Sequence, residues 1–411
     1  MKRSSLSVAV AGALLAVAAA CSSSGSDAPP DDTLPPHDDG STTSAEASVP
    51  EASTDAPGDA TPADAGPPAI RFIGRFDTSD PAGPKVQWPG ARILARFDGT
   101  QVSVKLADTS TTGAEHGEWD VILDGTLQAS PLVMTEGAMT YPLASGLAPG
   151  AHTIELWRRT EAYVSSTQLL GFDFGAGMLL PPPIPNARRI ELIGDSAMLG
   201  YGIEGNGPNC SFSAATENEH KAYPALVANA LAADHHDIAY SGKGVYWNYA
   251  RAVDDQVFGL LYPRALPNDE TSTWDFTAFS PDVVWITLGG NDWDQPNPGD
   301  PAPPYASFVA KYDALVGDVR AKHPAAHVVC AVAASLNDDY PVGYAAYTNV
   351  KNAVTQVVST RSAAGDAKIY TFEFTRATDA DLTGCEYHPN PMKHAAMAAE
   401  AIAFIKSKTG W

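Results

Sequence analysis

Ile190-Glu191-Leu192-Ile193-Gly194-Asp195-Ser196 is a short apolar run that ends in Gly-Asp-Ser. The apolar residues read as a buried strand, and Gly194 permits a tight exit from it. Ser196 is thereby set at the strand's carboxyl end, where a helix could begin among free backbone N–H groups. Asp and Ser also commonly cap helices, so an isolated Gly-Asp-Ser would be read first as a cap. Downstream, short apolar runs alternate with helix-length segments. Strands are expected at 189–193, 237–240, 283–288, 327–333 and 369–372. Helices are expected at 222–233, 305–321, 344–360 and 392–405. That rhythm predicts a parallel sheet with helices on both faces, whose ligands sit at the carboxyl ends of the strands.

Upstream the grammar is different. Pro181, Pro182 and Pro183 mark residues 179–186 as a stiff connector. Before it, residues 69–178 hold short alternating runs such as Val102-Ser103-Val104-Lys105-Leu106 and His152-Thr153-Ile154-Glu155-Leu156-Trp157. Asp98-Gly99, Asp124-Gly125 and Pro149-Gly150 punctuate them. Alternation with turn residues at this spacing predicts an antiparallel β-sandwich of jelly-roll type. No internal repeat is found.

Residues 22–68 contain ten Asp or Glu, no Lys or Arg, and no aromatic residue. Such a segment cannot bury enough apolar area to offset chain entropy, so residues 21–68 are expected to form a disordered tether. The first 20 residues read as an export signal: Lys2 and Arg3, then an apolar stretch too short to span a bilayer, then small residues before Cys21. Ala18-Ala19-Ala20-Cys21 resembles a bacterial lipobox, which implies lipidation of Cys21 and membrane contact through that anchor alone. Ordinary cleavage and secretion is the alternative. The net charge of −22 leaves −14 on residues 69–411. An acidic surface repels phosphate backbones, which argues against nucleic acid as a partner, whereas a neutral glycan meets no such barrier.

Three further blocks fall at the same predicted sheet edge. Tyr240-Ser241-Gly242-Lys243-Gly244 follows the second strand, and a Gly242 N–H there could face a ligand. Its spacing does not fit a phosphate-binding loop. Leu288-Gly289-Gly290-Asn291-Asp292 follows the third strand, and the Asn291 amide could donate to a developing oxyanion. Gly384-Cys385-Glu386-Tyr387-His388-Pro389 precedes the last helix. His388 lies in a Pro-bounded loop and not on an apolar helix face, which suits proton transfer. Singly, each block reads as a turn. In the order Ser, Gly, Asn, His, the chain resembles the SGNH (GDSL) hydrolases over 187–411, a flavodoxin-like fold with a five-stranded parallel sheet.

With the sandwich included, residues 70–411 resemble carbohydrate esterase family 2. The phrases that carry this are Gly194-Asp195-Ser196 with Gly200-Tyr201-Gly202, Cys210 ahead of Thr216-Glu217-Asn218, Ser241-Gly242-Lys243-Gly244-Val245-Tyr246, and Gly384-Cys385-Glu386-Tyr387-His388-Pro389. The resemblance implies a serine esterase that removes acetyl groups from acetylated polysaccharides or oligosaccharides. Ser196 would be the nucleophile and His388 its base. The N–H groups of Ser196 and Gly242 and the side chain of Asn291 would form the oxyanion hole. One position departs from the wider superfamily: the Asp expected three residues before the histidine is Cys385. Family 2 enzymes use a Ser–His dyad oriented by backbone carbonyls, so Glu386 is expected to be dispensable. His394 is the rival base.

Of the cysteines beyond Cys21, one pair is expected in an oxidising compartment, with one thiol left over. The resemblance implies Cys210–Cys385, with three reduced thiols as the alternative. Tyr387, Trp293 and Tyr246, with Trp247, are candidates for stacking on sugar rings, or else pack between helix and sheet. No Cys/His spacing fits zinc and no cofactor motif is present. His235 and His236 are read as a solvated pair in a helix–strand loop. Two competing functions stand beside the acetyl esterase: a lipase or arylesterase with the same machinery, and a surface glycan-binding protein with a vestigial site.

Overall fold

The computed structural model describes residues 70–251, 256–294 and 300–411. The export signal, Cys21 and the tether lie outside the described residues.

Residues 70–180 form two antiparallel sheets face to face. One runs in the order Arg71–Ile73, Arg92–Asp98, Ala151–Arg158, Glu118–Leu123, Thr126–Leu127, and Met178–Leu180 pairs with Arg92–Asp98. The other runs Lys85–Val86, Ser165–Asp173, Gln101–Ser110, Gly137–Ser145. Along Gln101–Ser110 the inward positions Val102, Val104 and Leu106 are buried and alternate with more exposed ones. This is the period-two pattern that a sandwich face requires. They meet Phe97, Trp119, Ile154 and Leu156 from the opposite sheet. Leu179 and Leu180, expected in the connector, belong to a strand and pair with Phe97 and Arg96. The prolines start only after that pairing ends.

The second half is a five-stranded, all-parallel sheet in the order Ala233–Ala239, Arg188–Gly194, Val283–Thr287, His327–Val332, Ile369–Glu373. Alternate residues feed two cores. Val284 and Ile286 meet the helices Tyr305–Lys322 and Ala346–Ala363 on one face. Val283 and Trp285 meet Tyr223–Ala230 and Pro391–Thr409 on the other. The chain leaves Arg188–Gly194 toward one side and returns to its other side with Val283–Thr287. The crevice between those two strand ends is the switch point at which such sheets bind ligands.

The second strand corrects the expectation. It begins at Ala233 and all seven of its residues are buried, including His235 and His236. Neither histidine is solvated. His235 contacts Glu219 at 3.2 Å, and His236 stacks on Phe279 at 3.6 Å. This strand is a sheet edge, and the sandwich covers it: Arg71 pairs with Asp234, and Trp157 Nε1 donates to Glu219 at 2.6 Å. Gly90 of the sandwich lies so close that a Cβ there would meet the Glu219 carboxyl at 2.8 Å.

Candidate active site

Gly194, the last residue of its strand, is closely packed: a Cβ there would sit 2.7 Å from Met198 Sδ. Asp195 then caps the one-turn helix Ser196–Leu199, its Oδ1 accepting the Ala197 N–H at 3.1 Å. Capping is thus the work of Asp195, and Ser196 occupies the first helical position, half-buried. Burial, with the Asp292 and Glu161 carboxylates nearby, raises the Asp195 pKa to about 7.

Asn390 caps the final helix by accepting the Lys393 N–H at 2.9 Å, and Pro391 supplies the fixed φ of its first turn. That boundary leaves His388 in the loop before the helix. Its Nδ1 lies 3.1 Å from the Cys385 carbonyl oxygen. A carbonyl only accepts, so Nδ1 carries the proton and Nε2 presents a lone pair. Desolvation lowers the His388 pKa, partly opposed by the Cys385 carbonyl and the Glu386 charge. Glu386 does not take the place of the missing aspartate: it accepts the Tyr201 hydroxyl at 2.5 Å, while the Tyr201 ring packs on His388 at 4.2 Å.

A disulfide and a backbone hydrogen bond bring the serine and histidine segments together. Cys210 and Cys385 form a disulfide, and the Cys385 N–H donates to Gly202 O at 3.0 Å. Ala197 and Pro389, the neighbours of Ser196 and His388, line one small cavity.

The glycine and asparagine blocks face the same crevice. Gly242 has φ +75°, in the region that favours glycine, and its carbonyl accepts the Tyr249 N–H at 2.7 Å. Asn291 Nδ2 donates to Lys243 O at 3.0 Å and to Asp195 Oδ2 at 3.2 Å. Both amide hydrogens are therefore engaged, and an oxyanion would compete for the longer bond. Asp292, which sequence reasoning passed over as a turn residue, accepts three consecutive N–H groups: Val245 at 3.0 Å, Tyr246 at 2.6 Å and Trp247 at 2.8 Å. Burial raises its pKa to about 6 against those bonds. Asp292 so ties the third block to the second.

The aromatic candidates divide. Tyr387 is exposed, with its hydroxyl 3.2 Å from Asn209 Oδ1, and Tyr246 is half-buried against the Trp247 ring. Trp293 is a correction: it is 2% exposed and packs edge-on against Phe308, so it belongs to the core and has no face for a sugar. His394 is fully buried in the last helix, and its Nδ1 accepts the Tyr223 N–H at 3.1 Å. Burial lowers its pKa to about 3. It is a structural imidazole and not the rival base. Cys330 is buried and free.

A parallel sheet that gathers serine, glycine, asparagine and histidine blocks at its switch point, behind a jelly-roll sandwich, defines a GDSL-type hydrolase with an accessory β domain. Residues 72–183 match the carbohydrate esterase 2 N-terminal family and residues 192–396 the GDSL-like lipase/acylhydrolase family. The chain is 38% identical over 344 residues to the cellulase/esterase CelE of Acetivibrio thermocellus, covering 84% of this chain and 40% of that one. It spans less than half the length of that relative. An acetylxylan esterase / glucomannan deacetylase of Cellvibrio japonicus is 27% identical, over 84% of this chain and 92% of that one. A solved family two carbohydrate esterase from Clostridium thermocellum, in complex with cellohexaose, superposes with a TM-score of 0.76 at 37% identity, covering 84% of this chain and all of that one. The chain belongs to carbohydrate esterase family 2.

Proposed function

We propose that this chain is a serine esterase that removes O-acetyl groups from plant cell-wall polysaccharides or oligosaccharides of the acetylxylan or glucomannan type. The observation that carries the chemistry is the His388 tautomer. With Nδ1–H held by the Cys385 carbonyl, Nε2 is left as the base for Ser196. Ser196 Oγ attacks the acetyl carbonyl and its proton passes to His388. The N–H groups of Ser196 and Gly242 and the Asn291 amide receive the oxyanion. The sugar oxygen leaves with the proton, and water deprotonated by His388 then releases acetate from the serine ester. The names of the related enzymes support the substrate class: one is a glucomannan deacetylase, another was solved with cellohexaose. Exposed Tyr387, beside His388, is suited to stack on a sugar ring, with Tyr246 farther in.

The export signal and lipobox-like Ala18-Ala19-Ala20-Cys21 support placement at the bacterial cell envelope, with the acidic tether holding the enzyme off the membrane. The test of function is acetate release from a panel of acetylated glycans, compared with p-nitrophenyl esters of increasing chain length, for the full chain and for Ser196→Ala. The expected result is acetyl preference in the former and turnover reduced by at least about 10³-fold in the latter, with the fold retained. A long-acyl preference would move the assignment to a lipase. Undiminished turnover in Ser196→Ala would remove the serine from the mechanism.

A further inference from the structure

The sandwich strands Ala151–Arg158 and Ser165–Asp173 are joined by a turn that enters the hydrolase half. Glu161 on this turn is fully buried, and its Oε2 accepts the Ser241 backbone N–H at 2.7 Å. Ser241 immediately precedes Gly242. The turn is fastened on both sides: the Glu219 N–H donates to Arg159 O at 3.0 Å, and Asn268 Nδ2 donates to Ala162 O at 2.7 Å. Glu217, also fully buried, accepts the Glu161 backbone N–H at 3.2 Å. Burial raises the pKa of both carboxyls, and the Glu161 charge raises that of Glu217 further. Arg158 is the cation facing Glu161, and Glu217, Asp195, Asp237 and Tyr201 are other ionisable groups around it.

The peptide that presents the Gly242 N–H is thus fixed from two directions. Tyr249 N–H holds the Gly242 carbonyl from within the hydrolase half. Glu161 holds the preceding N–H from the sandwich. Remove the second and the Gly242 N–H is free to swing away from the crevice, with the serine and histidine untouched. On the esterase reading above, we propose that Glu161 is a positioning residue for the oxyanion donor Gly242, and that the sandwich domain therefore contributes to catalysis itself and not only to glycan contact.

The test compares Glu161→Gln, Glu161→Ala and Glu161→Leu in the full chain, with kcat and KM measured on p-nitrophenyl acetate and folding checked by circular dichroism. Gln retains an oxygen that accepts the Ser241 N–H; Ala and Leu do not, and Leu keeps the volume filled. The expected kcat falls about 10- to 100-fold in Ala and Leu, with KM within about threefold, because a misplaced oxyanion donor acts on the transition state. Gln should restore kcat to within about threefold of the wild type. A folded Ala or Leu variant with wild-type kcat overturns the proposal, as does a Gln variant as slow as Ala. If neither Ala nor Leu folds, Glu161 is structural and the proposal is equally overturned. Failure of the esterase reading is separate: it would appear as the wild-type chain releasing no acetate.

Discussion

Replacing both Cys210 and Cys385 by Ala tests how His388 is held. The bridge closes a loop with a sequence separation of 175. In the chain-entropy account, a cross-link over a loop of that length stabilises the fold by about 5 kcal/mol. The local consequence is the sharper one. Glu386 and Tyr387 have φ of 55° and 61°, a conformation that costs a non-glycine residue about 1–2 kcal/mol. Two such residues in succession, between the bridged cysteine and His388, hold about 2–4 kcal/mol of local strain that a freed loop would release. Relaxation there moves the Cys385 carbonyl, and with it the hydrogen bond that sets the His388 tautomer. The double variant should therefore lose up to about 5 kcal/mol in urea unfolding. Its kcat on p-nitrophenyl acetate should fall on the order of 10- to 100-fold at temperatures where it remains folded. Serine reactivity lost only through unfolding would track the unfolded fraction; this loss should not. A double variant within about 1 kcal/mol of wild type and with unchanged kcat would refute the reasoning on both counts.

Two further predictions concern protonation and anchoring. Because burial lowers the His388 pKa, its NMR titration should show a midpoint below 6.5, and on the esterase reading kcat/KM should already be at its plateau with respect to this group at pH 7. The ring's own signals are needed, since burial places Asp195 near 7; a midpoint at or above 6.5 would contradict the assigned environment. For the N-terminus, labelling the expressing bacteria with a fatty acid should mark the wild-type chain and not Cys21→Ala, and label retained in that variant would show the anchor to be elsewhere.

The parts of the site that were legible are those whose signal is local. Gly194-Asp195-Ser196 and His388-Pro389-Asn390-Pro391 carry their own turn and capping chemistry, so a short window suffices to place them at a strand exit and a helix entry. The unread parts depend on partners far along the chain. Trp293 sits beside the Asn291 block in sequence, but Phe308 from the next helix turns it into the core. Ala233–Ala239 looks like a polar loop because Asp234, His235 and Asp237 are costly to bury alone. Asp292 could have been noticed as an acid next to a glycine turn, but its three N–H partners lie 45 to 47 residues away. Glu161 meets Ser241 across 80 residues and Glu217 across 56.

These long-range pairings bear on why the two halves occur as one body. An open edge strand exposes backbone groups and must be covered or charged. Here the edge strand is both: Asp234 pairs with Arg71 of the sandwich, and His235 joins a Trp157–Glu219–His235 chain divided between the halves. The ion pair of Arg75 with Glu191, both fully buried at 3.0 Å, crosses the same boundary. Removing the sandwich would leave Glu191 and Asp234 without those cations, with the Tyr262 hydroxyl at 2.9 Å still on Glu191. The sandwich is therefore tied to the sheet edge by buried ion pairs and hydrogen bonds, and the same contact brings a turn of it to the loop that carries Gly242.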